Sequence, residues 1–431
     1  MSLKNTLEKS KNTVFDRRKT PTVSQDFNIS FERPIVSSLN LNCKLIWMKN
    51  VPNETARIDL YFDAGSSFAH PLIPSITSAM LLTGSLSKSS KQIHEELDFY
   101  GAYYSIEVTQ FHCVVHLYGL RENIQKVLEI FVDAMKNMAT LESEYNLILE
   151  EKKQKLAVNL KKVGILAQRK LQQVIFDGTP LKRIIKLHDF DKISIEKIRR
   201  FHREHFLTGL SRIHIVGAIN DKDLNKISKI LQPISSKIKK NVQYKFKNLK
   251  THFHIRKKGA LQSAIRIGKI CINKHHQDFI GFSILCTILG DYFGSRLMKN
   301  IREDKGYTYG IGCVIQEFSN CSVMLIVTEV GVTQREATIQ EIKKEIEILQ
   351  TKLVPIHELK LVKSYLLGQA LKSADGPYAQ LDLFTGVDMF DLDYNYYHKY
   401  LQELKNITSS ELKILANKYL NWSDFSIVTA G

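Results

Sequence analysis

The chain has 431 residues, a hydrophobic fraction of 44% and a formal charge of +17 at neutral pH. This length allows about two to four domains of ordinary size, and the composition predicts a globular protein with a full core. The charge comes from lysines spread along the chain, with one denser run at residues 237–258. Since no nucleic-acid module is visible, we interpret this charge as a solvated lysine surface and predict no nucleic-acid partner.

The sequence also indicates a compartment. An uncharged stretch at residues 64–87 is long enough for a membrane span, but Pro71, Pro74 and many hydroxyl residues make it a poor one. The segment before Asp26 is polar and lacks the apolar centre of a secretory signal. Six scattered cysteines form no C-x-x-C pair, which is typical of reduced thiols. We therefore predict a cytoplasmic protein with no membrane span.

Taken in chain order, the first part reads as an N-terminal arm (1–28) and a first α+β half (29–234). Alternating and amphipathic patterns predict the strands and helices of this half, in chain order: strands at 45–48 and 58–62, helices at 72–84 and 90–101, strands at 103–108 and 111–117, helices at 121–139, 142–162, 164–178 and 193–205, and a strand at 212–216.

The second part repeats this order after a basic linker (235–258), and forms a second α+β half (259–431). The repeated elements are a strand at 263–271, a helix at 277–289, strands at 307–316 and 321–329, helices at 333–350 and 356–371, and a final stretch, 407–428, that parallels 193–216. A period of about half the chain indicates internal duplication. Strands and helices in each half are expected to form separate layers.

One stretch of the second half carries candidate chemistry. It contains Ser295-Arg296-Leu297, then Arg302-Glu303, then Gly306-Tyr307-Thr308-Tyr309. Arg302 is predicted at a helix end, and Tyr309 opens a strand just beyond the glycine. Both could face one cleft and offer donors to a carbonyl or an oxyanion. Without further context, such a pair is more often a surface arginine and a half-buried aromatic.

These three groups resemble the second-half signature of the pitrilysin/insulinase metallopeptidases, the inverzincins, which carry an inverted H-x-x-E-H zinc motif. Residue types and spacing match, and the resemblance extends from about residue 30 to the C-terminus. It implies a LuxS/pitrilysin-like fold. In that fold two homologous α+β halves, each an antiparallel sheet covered by helices, face each other as a clamshell.

In active members of this family the zinc motif lies on the helix after an Ala-Gly-Ser turn. Here Ala64-Gly65-Ser66 is that turn, and Met80 to Ser85 follows the motif position. Between them Ser75 and Ala79 replace the two histidines, and Ser78 replaces the glutamate that acts as general base. The later carboxylate that would be the third ligand is matched best by Glu151. One carboxylate does not hold zinc, so we predict no metal in this chain.

The other histidine groups offer no substitute. His202 and His205 are predicted on the last helix before the strand at Arg212, far from the motif helix, where we interpret them as structural. The remaining groups also lack ligand spacing, so no metal is assigned to them: His94, His252/His254 and His275/His276. The short segment Gly290 to Gly294 does not match the glycine-rich loop of the non-catalytic subunit of mitochondrial processing peptidase.

The resemblance implies a non-catalytic subunit of a heterodimeric zinc metallopeptidase, similar to bacterial two-subunit members and mitochondrial processing peptidase-like proteins. The chain would be inactive alone, and zinc would lie in a homologous H-x-x-E-H-bearing partner. Arg302 would bind the substrate and Tyr309 would stabilise the oxyanion, with an extended peptide added to a sheet edge. The alternative is a catalytically inert peptide-binding or scaffold protein of the same fold. An autonomous zinc peptidase would need ligands that the sequence does not offer.

Overall fold

The computed structural model describes residues 29–40, 42–49, 51, 54–234, 236, 244–246, 250–318 and 321–431. The predicted N-terminal arm (1–28) and much of the predicted linker (235–258) lie outside these residues. Across the described ranges, none of the helices combines the length and the apolar character that a membrane crossing requires.

The first half is built on a six-stranded sheet. Its strand order is β1-β2-β6-β3-β5-β4, and all neighbours are antiparallel except the parallel pair β2–β6. The strands are β1 (Ile35–Asn40), β2 (Cys43–Met48), β3 (Thr55–Phe62), β4 (Tyr103–Val108), β5 (Cys113–Leu120) and β6 (Leu210–Gly217). β4 therefore forms one edge of this sheet.

The second half repeats this arrangement with five strands, in the order β7-β11-β8-β10-β9. These are β7 (His252–Ile255), β8 (Gln262–Cys271), β9 (Thr308–Phe318), β10 (Cys321–Gly331) and β11 (Ser426–Ala430). Here too one pair, β7–β11, is parallel. The order matches that of the first sheet without a counterpart of β1, and β9 takes the edge position of β4. The predicted pair of homologous α+β halves is confirmed, and β7 belongs to the second sheet although it falls within the predicted linker.

Helices cover the sheets. In the first half they are α1 (Leu72–Met80), α2 (Ser90–Phe99), α3 (Ile124–Lys136), α4 (Glu142–Asn159), α5 (Val163–Ile175), α6 (Ile195–His205) and α7 (Asp221–Leu231). In the second half they are α8 (Phe279–Gly290), α9 (Arg335–Thr351), α10 (Ile356–Ser373), α11 (Gly376–Asp388), α12 (Asn395–Asn406) and α13 (Ser409–Tyr419). A single π-helical segment, Met298–Asp304, follows α8.

The two halves exchange one helix each. α5 of the first half packs on β8 and β11 of the second sheet, where Leu171 and Ile175 join a cluster that contains Val428. In return α11 of the second half packs on β6, and Leu381 and Phe384 join a cluster on the first sheet. Because each sheet is covered by a helix of the other half, separating the halves would expose apolar surface on both.

Ion pairs accompany the α11 contact. Asp388 is 0% exposed and pairs with both Lys44 and Arg212 of the first sheet. Arg57 Nη2 lies 2.5 Å from Asp382 Oδ1. Burying a carboxylate costs free energy unless cations pair with it, and the two basic side chains provide that pairing. This interface therefore depends on charge as well as on apolar area.

Candidate functional site

Arg302 lies on the π-helical segment that follows α8. The neighbouring residues Met298 and Ile301 are buried in the core of the second half, and they fix this segment against the sheet. The backbone N–H of Tyr307 donates to the Ile301 carbonyl across the turn, over 3.0 Å. Gly306 has φ +64°, a conformation that glycine adopts without steric cost. The turn therefore leads directly from Arg302 to the start of β9.

The structure brings the Arg302 and Tyr309 side chains close together. The guanidinium carbon of Arg302 lies 5.6 Å from the centre of the Tyr309 ring, and 4.5 Å from that of Phe293. Both aromatic rings are open to solvent, with Tyr309 93% and Phe293 65% exposed. Cation–π contacts of this kind orient a guanidinium. Phe293 was not predicted as a site residue. An aromatic side chain within a short turn bounded by glycines is a signal that could have identified it, because such a side chain is often exposed.

The Ser-Arg-Leu group fixes the backbone that precedes Arg302. Ser295 and Leu297 are both fully buried. Arg296 makes a bidentate pair with Glu358 of α10, with Nε–Oε1 and Nη2–Oε2 distances of 2.8 Å each. Two parallel hydrogen bonds between a guanidinium and a carboxylate fix the relative orientation of the two groups. These residues hold the turn in place, whereas Arg302 and Tyr309 present their side chains at the surface.

The residues predicted at the zinc-motif positions, Ser75, Ser78 and Ala79, lie on α1. Ser78 is buried, and its hydroxyl donates to the Ser75 carbonyl over 3.2 Å. Ala79 is exposed. All three positions line a cavity of about 470 Å³, here called the Lys152 cavity. The other lining residues come from the segment after α1, from α2, from β4 and from α4: Leu82, Thr83, His94, Tyr104, Ile106, Val108 and Lys152.

The side chain that reaches Ser75 from α4 is Lys152. Its Nζ donates to Ser75 Oγ over 3.0 Å. Burial lowers the pKa of the Lys152 ammonium, and the neighbouring Glu151 carboxylate opposes that effect only in part. Glu151 itself is exposed on α4. Lys152 was not predicted as a site residue, because a lysine ammonium, unlike a metal ligand, is positively charged and has no lone pair for a metal.

The residues at these positions do not fit zinc. Ser75, Ser78 and Ala79 offer neither imidazole nor carboxylate, and an ammonium at Ser75 would repel a cation. His94 lines the cavity, but its Nδ1 lies 2.7 Å from the Ser90 carbonyl oxygen and its Nε2 lies 2.9 Å from the Tyr104 hydroxyl, so both ring nitrogens are already engaged. Nowhere in the described ranges do three His, Cys, Asp or Glu side chains form a group able to hold a metal ion.

The two histidines of α6 make structural hydrogen bonds. His202 is buried, and its Nε2 lies 2.7 Å from the Met135 carbonyl of α3. Burial lowers the pKa of His202, which favours the neutral imidazole. His205 Nδ1 lies 2.6 Å from the Asp63 carbonyl at the end of β3. Both side chains tie α6 to neighbouring elements.

Proteins of similar sequence are named zinc proteases. One from Rickettsia bellii, described as an uncharacterized zinc protease, is 24% identical over 346 residues, which are 75% of this chain and 78% of that protein. A Rickettsia felis protein with the same description is 22% identical, with 77% and 80% covered. The uncharacterized zinc protease YmxG of Bacillus subtilis is 21% identical, with 77% and 82% covered.

Solved structures share the whole fold. A peptidase M16 inactive domain from Pseudomonas fluorescens superposes with a TM-score of 0.83 at 20% identity, and the match covers 92% of this chain and 98% of that one. A protease from Helicobacter pylori gives a TM-score of 0.84 at 15% identity, with 93% and 99% covered. At this identity the likeness shows the fold alone.

Two sequence models of one peptidase family match adjacent parts of the chain. The model described as Insulinase (Peptidase family M16) matches residues 44–186. The model described as Peptidase M16 inactive domain matches residues 192–366. Together they cover most of the first half and the second half as far as residue 366, including the α1 positions and the Arg302–Tyr309 pair. This chain belongs to the M16 family of peptidases.

Proposed function

We propose that this chain is the non-catalytic subunit of a heterodimeric zinc metallopeptidase, and that it supplies Arg302 and Tyr309 to the zinc site of its partner. The observation that supports this proposal is the Arg302–Tyr309 pair itself, in which the Arg302 guanidinium lies against Phe293 and the Tyr309 ring is open to solvent. The α1 positions of the same chain carry Ser75, Ser78 and Ala79, so the zinc and its general base would come from a homologous subunit with an intact H-x-x-E-H.

Each residue of the pair has a distinct role in this proposal. The Tyr309 hydroxyl donates a hydrogen bond to the scissile carbonyl oxygen as that oxygen gains negative charge. The Arg302 guanidinium binds the peptide backbone or a carboxylate and stabilises the same charge. A donor of this kind contributes about 3 kcal/mol to transition-state stabilisation in other hydrolases. Tyr309 is exposed in the isolated chain, as expected for a group whose site is completed by a second subunit.

The substrate in this proposal is an extended peptide. β4 and β9 are the last strands of their sheets, and an edge strand offers backbone donors and acceptors to an added strand. We place the complex in the cytoplasm, because the six cysteines are unpaired thiols and five of them are buried.

The test reconstitutes the complex from the full chain and an H-x-x-E-H-bearing homologue of the same organism. Hydrolysis of a mixture of internally quenched peptides is measured for each chain alone and for the mixture. We expect hydrolysis only when the two chains are mixed. In the mixture, kcat should fall about 100-fold for Tyr309→Phe and by a comparable factor for Arg302→Ala. Tyr100→Phe and the exposed Arg203→Ala are matched controls that retain activity.

The competing function is that of a catalytically inert peptide-binding or scaffold protein. In that case the mixture is no more active than the H-x-x-E-H-bearing chain alone, or its activity is unchanged by Tyr309→Phe and Arg302→Ala. Either result would overturn the proposal.

A further inference from the structure

We propose that the Lys152 cavity is a carboxylate-binding site for an extended peptide. It lies on the first half, at the positions where the zinc motif is lost, whereas Arg302 and Tyr309 belong to the second half. The proposal does not require those two residues to take part in hydrolysis. It requires only that the chain binds peptides.

The electrostatics of the cavity favour an anion. Lys152 is the sole Lys, Arg, Asp or Glu among the lining residues. An ammonium has three donors, and one of these is used by the neutral Ser75 hydroxyl. Within the part of the chain that the structure describes, Lys152 makes no ion pair with a carboxylate. Burying a cation without an ion-pair partner costs free energy, and the exposed Glu151 carboxylate offsets this only in part, so a carboxylate entering the cavity would add compensation.

The uncharged polar residues that line the cavity offer hydrogen-bond donors and carry no negative charge. Ser75 Oγ accepts from Lys152, so its own proton is available for a ligand. Both ring nitrogens of His94 are engaged, Nδ1 with the Ser90 carbonyl and Nε2 with the Tyr104 hydroxyl. Besides the Lys152 ammonium, the lining offers several hydroxyl groups and no carboxylate.

The position of β4 connects this cavity to a peptide. Tyr104, Ile106 and Val108 alternate along β4, and all three line the cavity. Among the described strands, none pairs with the outer edge of β4. A peptide added there would lie about 4.8 Å away and would place every second side chain on the same face. An aspartate or glutamate at one of those positions would point toward Lys152.

The apolar part of the lining favours a carboxylate on a carbon chain over a free inorganic anion. Leu82, Ile106 and Val108 provide contacts for side-chain methylenes, while Lys152 and Ser75 meet the charged end. Two sources could present this group: an acidic side chain within the peptide, or its C-terminal carboxylate. Both need the same ammonium, and the experiment separates them.

The experiment measures binding of three N-acetylated ten-residue Ala/Ser peptides to the full chain, through the anisotropy of an uncharged coumarin label. The first has a central Glu and a C-terminal amide. The second has a central Gln and an amide, and the third has a central Gln and a free carboxylate. We expect the first or the third to bind about tenfold tighter than the second, as one charge-assisted hydrogen bond predicts. Which of the two binds tighter identifies the source.

Lys152→Met removes the charge at nearly constant shape, and we expect it to abolish the preference while leaving the binding of the neutral peptide unchanged. Lys155→Met removes an exposed charge from the same helix and is expected to keep the preference. A second measurement uses the wild-type chain. The preferred peptide should slow the acylation of Lys152 by an amine-reactive ester, read by mass spectrometry, and should leave Lys155 unaffected.

Three results would overturn the proposal. The first is equal affinity, or no binding, of all three peptides to the wild-type chain. The second is a preference for the carboxylate that survives Lys152→Met or is lost equally in Lys155→Met. The third is unchanged acylation of Lys152 in the presence of a bound peptide. None of these results depends on hydrolysis, so failure here is distinguishable from failure of the role proposed for Arg302 and Tyr309.

Discussion

Lys152 Nζ donates a hydrogen bond to Ser75 Oγ over 3.0 Å, at the position where the zinc motif of the family would place its first histidine. An ammonium at this position would repel a cation bound next to Ser75. Loss of the zinc ligands and the presence of an ammonium are two separate obstacles to a metal in this half.

The first prediction is that restoring the motif is not sufficient to restore zinc. The triple variant Ser75→His, Ser78→Glu, Ala79→His regains two imidazoles and the general base, but Lys152 still places a positive charge beside them. We expect poor zinc retention in this variant. Adding Lys152→Glu should raise zinc affinity by at least about tenfold, because a repelling charge becomes a ligand.

Zinc content after dialysis and competition with a chelating dye measure this effect. The matched control is the triple variant combined with Lys155→Glu, which changes the same charge on the exposed side of α4. Tight stoichiometric zinc in the triple variant alone would show that Lys152 does not obstruct the site.

The second prediction concerns Phe293, whose ring lies 4.5 Å from the guanidinium carbon of Arg302. Phe293→Ala leaves Arg302 with one aromatic neighbour, so its position becomes less defined. An exposed cation–π contact contributes about 0.5–1 kcal/mol. We therefore expect a decrease in kcat/KM of the reconstituted complex by about threefold, much smaller than the loss for Arg302→Ala.

Phe253→Ala is the control, since Phe253 is also exposed and also contacts a cation, Lys170, at 4.1 Å. It should leave kcat/KM unchanged. Double-variant analysis adds a stricter criterion. In the Arg302→Ala background Phe293→Ala should have no further effect, and an additive loss would mean that Phe293 acts independently of Arg302.

The third prediction is that Asp388 is required for the contact between the halves. Asp388→Asn leaves Lys44 and Arg212 partly buried without their shared carboxylate. Removing one partner of a buried pair costs about 3–5 kcal/mol, and we expect a loss in the free energy of unfolding of that order. Asp391→Asn is the control, because Asp391 is exposed and its φ of +54° suits asparagine. Urea unfolding of both variants distinguishes a buried from a surface contribution.

The fourth prediction is a pH dependence that arises from His214. Burial, with the nearby charges of Arg212, Arg57 and Lys44, lowers the pKa of His214 from 6.5 to about 3. Between these values the unfolded chain binds a proton that the folded chain does not. The contribution of His214 to the free energy of unfolding is therefore fully present above pH 6.5 and is lost as the pH falls toward 3, by up to about 1.4 kcal/mol per pH unit.

His214→Gln should reduce that slope, since glutamine does not titrate. Urea unfolding at about pH 7.5 and pH 5 gives the comparison. The exposed His188→Gln is the control and should retain the wild-type slope. A His214→Gln variant with an unchanged slope would show that His214 does not contribute to the pH dependence of stability.

The duplicated fold could be predicted because its apolar periodicity repeats along the chain. The helix predicted at 121–139 is α3, and five apolar residues spaced three or four positions apart or adjacent along it are all buried: Ile124, Val127, Leu128, Phe131 and Met135. The glycine turn between Arg302 and Tyr309 was visible in the sequence, and the structure places their side chains in contact across it. Both signals are local in the sequence.

Signals that depend on distant parts of the chain were missed. α11 has weak apolar periodicity, and it derives its burial from the sheet of the other half. Lys152 was not singled out because its hydrogen bond joins residues 77 positions apart. A lysine in a charged helix is usually solvated, and nothing in the sequence around it indicates that it points into a cavity.

The most direct test of the central claim is the zinc content and peptidase activity of the purified chain, alone and mixed with an H-x-x-E-H-bearing homologue. We predict no bound zinc and no activity for the chain alone, and activity in the mixture that falls about 100-fold with Tyr309→Phe. Stoichiometric zinc with activity in the chain alone would contradict both the assignment of Ser75, Ser78 and Ala79 to the motif positions and the proposed division of the site between two subunits.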